Sequence, residues 1–261
     1  MKLAAVGDNC MDVYESLNQA FPGGNPVNVA VYFVRLGGEA SYTGVVGNDE
    51  YGRIMIDSLK ERAVDISHLR ILEGSTATTQ VQILNGERLL GDYNEGVLAE
   101  FRLSDEDIKF LCSHDMVVTS VWGMIENELY KIKAEGVPIA FDFATKLNDP
   151  IIEKAIYDID YAFFAYDEGD NEFIREYMKK IYEKGPKAVI VTLGEKGSIC
   201  YDGSKFLTYG IMPCEVTDTM GAGDSYISGF LRGILLKKGL KECMRMGAEN
   251  AAVTLQYHGA W

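Results

Sequence analysis

Asp218-Thr219-Met220-Gly221-Ala222-Gly223-Asp224-Ser225, followed by Tyr226-Ile227-Ser228-Gly229-Phe230-Leu231-Arg232-Gly233-Ile234-Leu235, is a run of small residues that gives way to a helical pattern. Glycines let backbone amides come close to a ligand, and the unpaired N–H groups at a helix start carry the positive end of its dipole. The segment is therefore suited to an anion, and a transferring phosphoryl group is such an anion. Asp224, in the first turn, sets a carboxylate beside that anion hole, where it can accept a proton from an attacking hydroxyl. Taken alone, the same residues also read as a tight loop whose aspartate only complements the dipole.

Upstream, short apolar runs predict strands at 3–6, 40–46, 116–119, 138–141, 161–164 and 188–193, with helical patterns between most of them. Strands alternating with helices of this length predict βαβ units, a mostly parallel sheet covered on both faces and an α/β fold. Asn25 followed by Pro26 suits a helix cap with proline at the first helical position, and Ser104 with Asp107 resembles a capping box. Between 76 and 92 the pattern changes: two strand-like runs flank Asn85-Gly86, which predicts a hairpin. It is either an edge addition to the sheet or a lid over a substrate. No linker, internal repeat or low-complexity segment interrupts the chain of 261 residues, so one domain is expected.

The formal net charge is −14, which disfavours nucleic acid and anionic membrane surfaces as partners. No run reaches the length of a membrane span, and the first residues lack the apolar region of a signal peptide, so a cytoplasmic protein is expected. The 5 cysteines are widely spaced without a C-x-x-C pair, which predicts reduced thiols rather than disulfides or a zinc site.

Context decides between the two readings of the glycine turn. Asp218-Thr219, the Gly221-Ala222-Gly223-Asp224 turn and Ser228-Gly229-Phe230-Leu231 resemble the second signature of the ribokinase-like sugar kinases, the phosphofructokinase-B family. The first signature is matched by Gly23-Gly24-Asn25-Pro26-Val27-Asn28-Val29-Ala30, then Gly37 and Gly47. The likeness extends along the chain through Val6-Gly7-Asp8-Asn9-Cys10-Met11-Asp12 and Thr192-Leu193-Gly194-Glu195-Lys196-Gly197. It implies a three-layer α/β/α kinase with a small β lid, formed here near 10–22 and 76–97, and phosphoryl transfer from ATP.

The resemblance also implies roles. Asp224 inherits that of catalytic base, with Gly221, Ala222 and Gly223 as the anion hole. Thr192, Gly194 and Gly197 become ATP contacts, the alternative being an ordinary strand-to-hairpin turn. Asn250 matches the adenine-side helix more loosely and reads equally as a solvent-facing residue. Asp12, Gly24, Asn25 and Asn28 match the sugar site, and Asp8 either joins them or satisfies loop amides. Many members carry Asn-x-x-Glu after the strand at 161–164. Here Ala165-Tyr166-Asp167-Glu168 lacks the asparagine, leaving Glu168 as the acidic group for Mg2+; potassium near Asp218-Thr219 is a further implied cation.

Details outside the general signatures resemble a bacterial branch of the family that phosphorylates Amadori compounds, fructoselysine at its 6-hydroxyl. They are Gly7-Asp8-Asn9-Cys10-x-Asp12, Gly91-Asp92-Tyr93-x-Glu95-Gly96-Val97, Asp218-Thr219-Met220 and Gln256-Tyr257-His258-Gly259-Ala260-Trp261. That substrate carries a protonated amine, for which Asp92 and Glu95 are candidate partners unless they form a solvated acidic loop. His258 and Trp261 read as ligand contacts or as a packed tail. A kinase for fructose or 2-keto-3-deoxygluconate is the runner-up, and a non-catalytic sugar sensor is the reading from another class. A nicotinamide-dependent dehydrogenase is disfavoured, because no G-x-G-x-x-G follows the first strand. The hairpin strands are also where a homodimer would pair.

Overall fold

The computed structural model describes residues 1–14, 19–84 and 87–261, with backbone alone for 83–84 and 87–90. The chain opens with β1 (Lys2–Val6), leaves for β2 (Cys10–Tyr14) and β3 (Gln19–Gly23), and returns through helix α1 (Asn25–Arg35) to β4 (Glu39–Gly47). Helix α2 (Glu50–Glu61) and β5 (Leu69–Leu72) precede a second excursion, β6 (Thr78–Leu84) and β7 (Glu87–Asn94). From α3 (Asp105–Leu111) strand and helix alternate: β8 (Met116–Ser120), α4 (Leu129–Ala134), β9 (Ile139–Asp142), α5 (Ile151–Ala155), β10 (Tyr161–Ala165), α6 (Glu172–Tyr182) and β11 (Ala188–Thr192). A hairpin, β12 (Ser198–Tyr201) and β13 (Phe206–Tyr209), and the helices α7 (Ala222–Leu235) and α8 (Leu240–Thr254) complete it.

The main sheet runs β13-β12-β11-β10-β9-β8-β1-β4-β5. From β5 to β11 every pairing is parallel, and β12 and β13 add antiparallel strands at one edge. Side chains alternate across it, as the pleat requires. Leu3 and Ala5 pack in one core with α1, α2, α7 and α8, while Ala4 and Val6 pack in the other with α3 to α6. The same split recurs at Ala162 and Phe164 against Phe163, and at Val189 and Val191 against Ile190. A sheet buried on both faces explains why the strands read as unbroken apolar runs. The result is a three-layer α/β/α fold.

The two excursions meet in a second sheet of order β3-β2-β6-β7, joined by the parallel pairing of Asp12 with Thr79 and Val13 with Gln80. The expected hairpin is present, although its Asn85-Gly86 turn lies outside the described residues. Asn25 departs from the expected cap. Gly24 is the N-cap of α1, Asn25 is already helical with Pro26 behind it, and the amide is engaged elsewhere. The Ser104–Asp107 capping box forms as read, and the cysteines are free thiols. Among the described residues no helix is long and apolar enough to cross a membrane.

Helix α7 is fixed by close packing on α8. A methyl group on Gly229 would lie 2.4 Å from the Met246 carbonyl oxygen, and one on Gly247 would lie 2.9 Å from the Tyr226 carbonyl oxygen. The two backbones touch where side chains usually stand between helices. Gly229→Ala should therefore cost about 1–3 kcal/mol by overpacking, read as a fall of a few degrees in Tm. An unchanged melting curve would show that the helices separate freely.

Candidate active site

Strand order reverses at β1, with β4 and β5 on one side and β8 to β11 on the other, and ligands of open α/β sheets gather at the carboxyl ends of such a point. Asp8 follows β1, Ser120 ends β8 and Asp142 ends β9, so the topology delivers two carboxylates and a hydroxyl to one crevice. The first turns of α1 and α7 close it. Asn25 Nδ2 donates to Asp142 Oδ2 and to Asp224 Oδ1, both at 2.6 Å, and Asn28 Nδ2 donates to Asp224 Oδ2 at 2.6 Å. Asp8 accepts from Ser120 Oγ at 2.7 Å and from the Asn25 backbone N–H at 3.2 Å. Asp142 also accepts from the Ala144 N–H at 2.9 Å.

Asp142 and Asp224 thus share two amide side chains, with Asp8 on the Asn25 backbone N–H, in a poorly hydrated place. Burial pushes Asp224 well above the usual carboxylate range, and the charges of Asp142 and Asp8 push the same way against the Asn28 and Asn25 hydrogen bonds. Burial likewise raises Asp8, and raises Asp142 to about 6. Asp8 and Asp142 are buried, whereas Asp224 keeps partial contact with solvent. A carboxylate both reachable and short of solvation is a good proton acceptor once ionised.

Gly221 caps α7 in the left-handed region at φ 71°, and no side chain caps the helix. A methyl group there would meet the Tyr32 hydroxyl at 2.2 Å, so the turn needs glycine. The Ala222 N–H reaches the Thr219 carbonyl at 3.3 Å and the Ser225 N–H the Gly221 carbonyl at 2.8 Å. The Gly223 and Asp224 amides have no backbone acceptor among the described residues, and a Cβ on Gly223 would face open space. This is the geometry of an anion site.

Along the same sheet edge, Thr192 ends β11 with its hydroxyl on the Phe164 carbonyl at 3.3 Å. Gly194 opens onto free space, and Gly197 closes the turn against the Tyr209 carbonyl. Glu168 lies exposed beyond β10, its carboxylate accepting from Tyr166 Oη at 2.8 Å. Over the crevice, the small sheet sets Phe21, Asp12, Thr79 and Tyr93 in one row by register, hence on one face. Burial raises the Tyr93 phenol, and the charge of Asp8 is its next cause.

The chain matches the pfkB family carbohydrate kinases over residues 10–261. It is 45% identical to the fructoselysine 6-kinase of Shigella flexneri, covering 99% of each chain. The chain belongs to the pfkB family of carbohydrate kinases. A second relative, the fructosamine kinase FrlD of Bacillus subtilis, is 36% identical over 100% of this chain and 93% of its own. Arabidopsis thaliana ribokinase, solved with ribose and ATP, superposes with a TM-score of 0.90 at 23% identity, covering 99% of this chain and 93% of that one, and so shares the fold.

The kinase is an ATP-dependent enzyme of small sugars, and its crevice collects Asp8, Asn25, Asn28 and Asp224 as neighbours. Gly24 sets the entry to α1, and Asp12 lies beside Gly23 on the small sheet. Of the two readings of Asn250, the solvent-facing one is corrected. The residue is buried, donates to the Ser225 carbonyl at 2.7 Å and accepts from Arg35 Nη2 at 2.7 Å, so its amide ties α7 to α8 and α1. Asp92 is exposed at a bulge where the β6–β7 register shifts. Glu95 is exposed too, but its charge acts on Tyr93. Asp142, Ser120 and Tyr93 escaped sequence reasoning. Asp142 at the end of a predicted strand was the one detectable signal, because strand ends at this edge bear ligands.

The Asp142 charge raises Asp224, so Asp142→Asn should lower the Asp224 pKa and keep that carboxylate ionised to lower pH. The acid limb of the kcat/KM profile should move down, since that limb reports the free enzyme. A limb that stays or moves up would remove Asp142 from the electrostatics of Asp224, or Asp224 from the limb.

Proposed function

We propose that this kinase transfers the γ-phosphoryl group of ATP to the 6-hydroxyl of fructoselysine or a related Amadori compound, with Asp224 as general base. One observation carries the reading: the Asp224 carboxylate is held by the Asn25 and Asn28 amides at the uncapped start of α7. The hydroxyl proton passes to Asp224 as its oxygen bonds to phosphorus. The bond from phosphorus to the β–γ bridging oxygen breaks, and ADP leaves with that electron pair. The Gly223 and Asp224 N–H groups face the charge on the phosphoryl oxygens, and Gly221 to Gly223 let the group approach. Asn25 Oδ1 is buried without a protein donor, an acceptor that a sugar hydroxyl would fill.

Thr192, Gly194 and Gly197 border the nucleotide in this reading. Among the described residues no cluster of three or more acidic, histidine or cysteine side chains could cage a metal. That donor set fits a magnesium ion that arrives on ATP and keeps its waters, with Glu168 as the acidic group at hand. The Asp218-Thr219 loop is where potassium would act, and the cytosol is the compartment this chemistry assigns. The free edges β3 and β7 are those along which a homodimer would pair.

The substrate assignment rests on the two relatives, whose names are those of kinases for fructose–amine conjugates. Asp12 would hold sugar hydroxyls, and Tyr93 with Glu95 would meet the protonated amine, Asp92 standing further off at the bulge. Asp224→Ala should lose about 10²- to 10⁴-fold in kcat with an unchanged Tm; retention of more than roughly a hundredth of the activity would overturn Asp224 as base. ADP release should favour fructoselysine over fructose, with NMR locating the phosphate on O6. Glu95→Gln should raise KM for fructoselysine alone. Equal turnover of plain fructose would leave the kinase and sink its substrate.

A further inference from the structure

Residues 257–261 lie along one face of α1. Arg35 Nη1 donates to Tyr257 Oη at 2.6 Å, Tyr32 Oη donates to the Ala260 carbonyl, and Trp261 Nε1 donates to Asn28 Oδ1 at 2.7 Å. Asn28, Tyr32 and Arg35 are spaced by four and three residues, so they share a stripe of the helix. The strap is tied at its other side by the Gly259 N–H to Asp218 Oδ2 at 2.8 Å, and the Arg62 guanidinium lies 5.8 Å from the Trp261 ring centroid. Each bond on the α1 stripe falls one turn from the next, ending at the residue that touches Asp224.

An indole N–H can only donate and an ionised carboxylate can only accept, while a primary amide has one end of each kind. Asn28 stands between Trp261 and Asp224 and satisfies both in one orientation only. Turned over, it would set its oxygen against the carboxylate and its NH2 against the indole N–H, two repulsive contacts in place of two hydrogen bonds. Asn25 cannot do this for its neighbour, because both its contacts to side chains here are carboxylates.

We propose that Trp261 is a positioning residue for phosphoryl transfer: its indole N–H locks the Asn28 amide so that the NH2 end faces the Asp224 carboxylate. The inference rests on the reading of Asp224 as base. The groups that face Asp224 are Asp8 beyond β1, Asp142 at the end of β9, the Asn25 and Asn28 amides and the Tyr32 phenol of α1. Of these, the Asn28 hydrogen bond is the largest favouring the ionised form. Losing its orientation raises the pKa of the base.

The test is Trp261→Phe, which keeps an aromatic ring for packing and removes the donor, assayed beside wild type, Asp224→Ala and Asn28→Ala. A second version replaces the indole with benzothiophene, of the same shape but without the N–H, for the case that phenylalanine unfolds the strap. In both, kcat should fall about 3- to 10-fold, the worth of one neutral hydrogen bond. The acid limb of kcat/KM should rise by about half a pH unit, as expected for a carboxylate that loses one donor, while Tm stays near wild type for the benzothiophene variant. In the Asn28→Ala background the same change should have no further effect on kcat. A wild-type pH profile in the benzothiophene variant, or full additivity with Asn28→Ala, overturns the positioning role. If Asp224→Ala remains active, the reading of the base falls and the inference with it, whereas a dead Asp224→Ala beside a wild-type benzothiophene variant rejects Trp261 alone.

Discussion

At the carboxyl edge of the sheet, Asn25 Nδ2 lies 2.6 Å from both Asp142 and Asp224, and through this one nitrogen two carboxylates come to share a crevice, with Asp8 on the backbone N–H of the same residue. Two carboxylate oxygens bonded to the same nitrogen are no more than about 5 Å apart, and at an effective dielectric near 20 their charges repel by on the order of 3 kcal/mol. Neutral donors offset part of that without adding a counter-charge. An arginine or lysine in the same place would stabilise the ionised form and lower the affinity of Asp224 for a proton. Amides instead hold the carboxylates in place while leaving Asp224 hungry for a proton.

The surrounding architecture serves that arrangement. The reversal of strand order at β1 brings Asp8 and Asp142 to one end, and the contact of α7 with α8 fixes the turn that carries Asp224. Asn250 belongs to this frame. Its amide joins Ser225, the residue after Asp224, to Arg35, which in turn holds Tyr257. The last turn of α1 and the first turn of α7 are therefore held through one connected set of polar contacts, although they are distant in sequence.

What the sequence disclosed follows from how local each signal is. The glycine turn, Asp224 and the Asn25 to Asn28 segment could be read because their chemistry is written in consecutive residues. The parallel strands could be read because burial on both faces leaves apolar runs. Asp142 was hidden, because Phe141-Asp142-Phe143 differs from any strand end only by what stands opposite, and Asn25 comes from 117 residues away. Tyr93 was hidden for a similar reason, since only the pairing of β2 with β6 and β6 with β7 aligns it with Asp12. The solvent-facing reading of Asn250 arose because a buried asparagine on a helix and an exposed one look alike until their partners are known.

The small sheet has a consequence for the order of assembly. Its inner strands, β2 and β6, come from chain segments separated by α1, β4, α2 and β5, and neither pair of strands has a partner until those elements are in place. Closing such a separated contact costs loop entropy before any pairing offsets it. The β2–β6 pairing therefore carries a larger closure cost than either hairpin that flanks it. A chain in which that pairing has not closed would possess the first signature and still lack the face that aligns Asp12 with Tyr93.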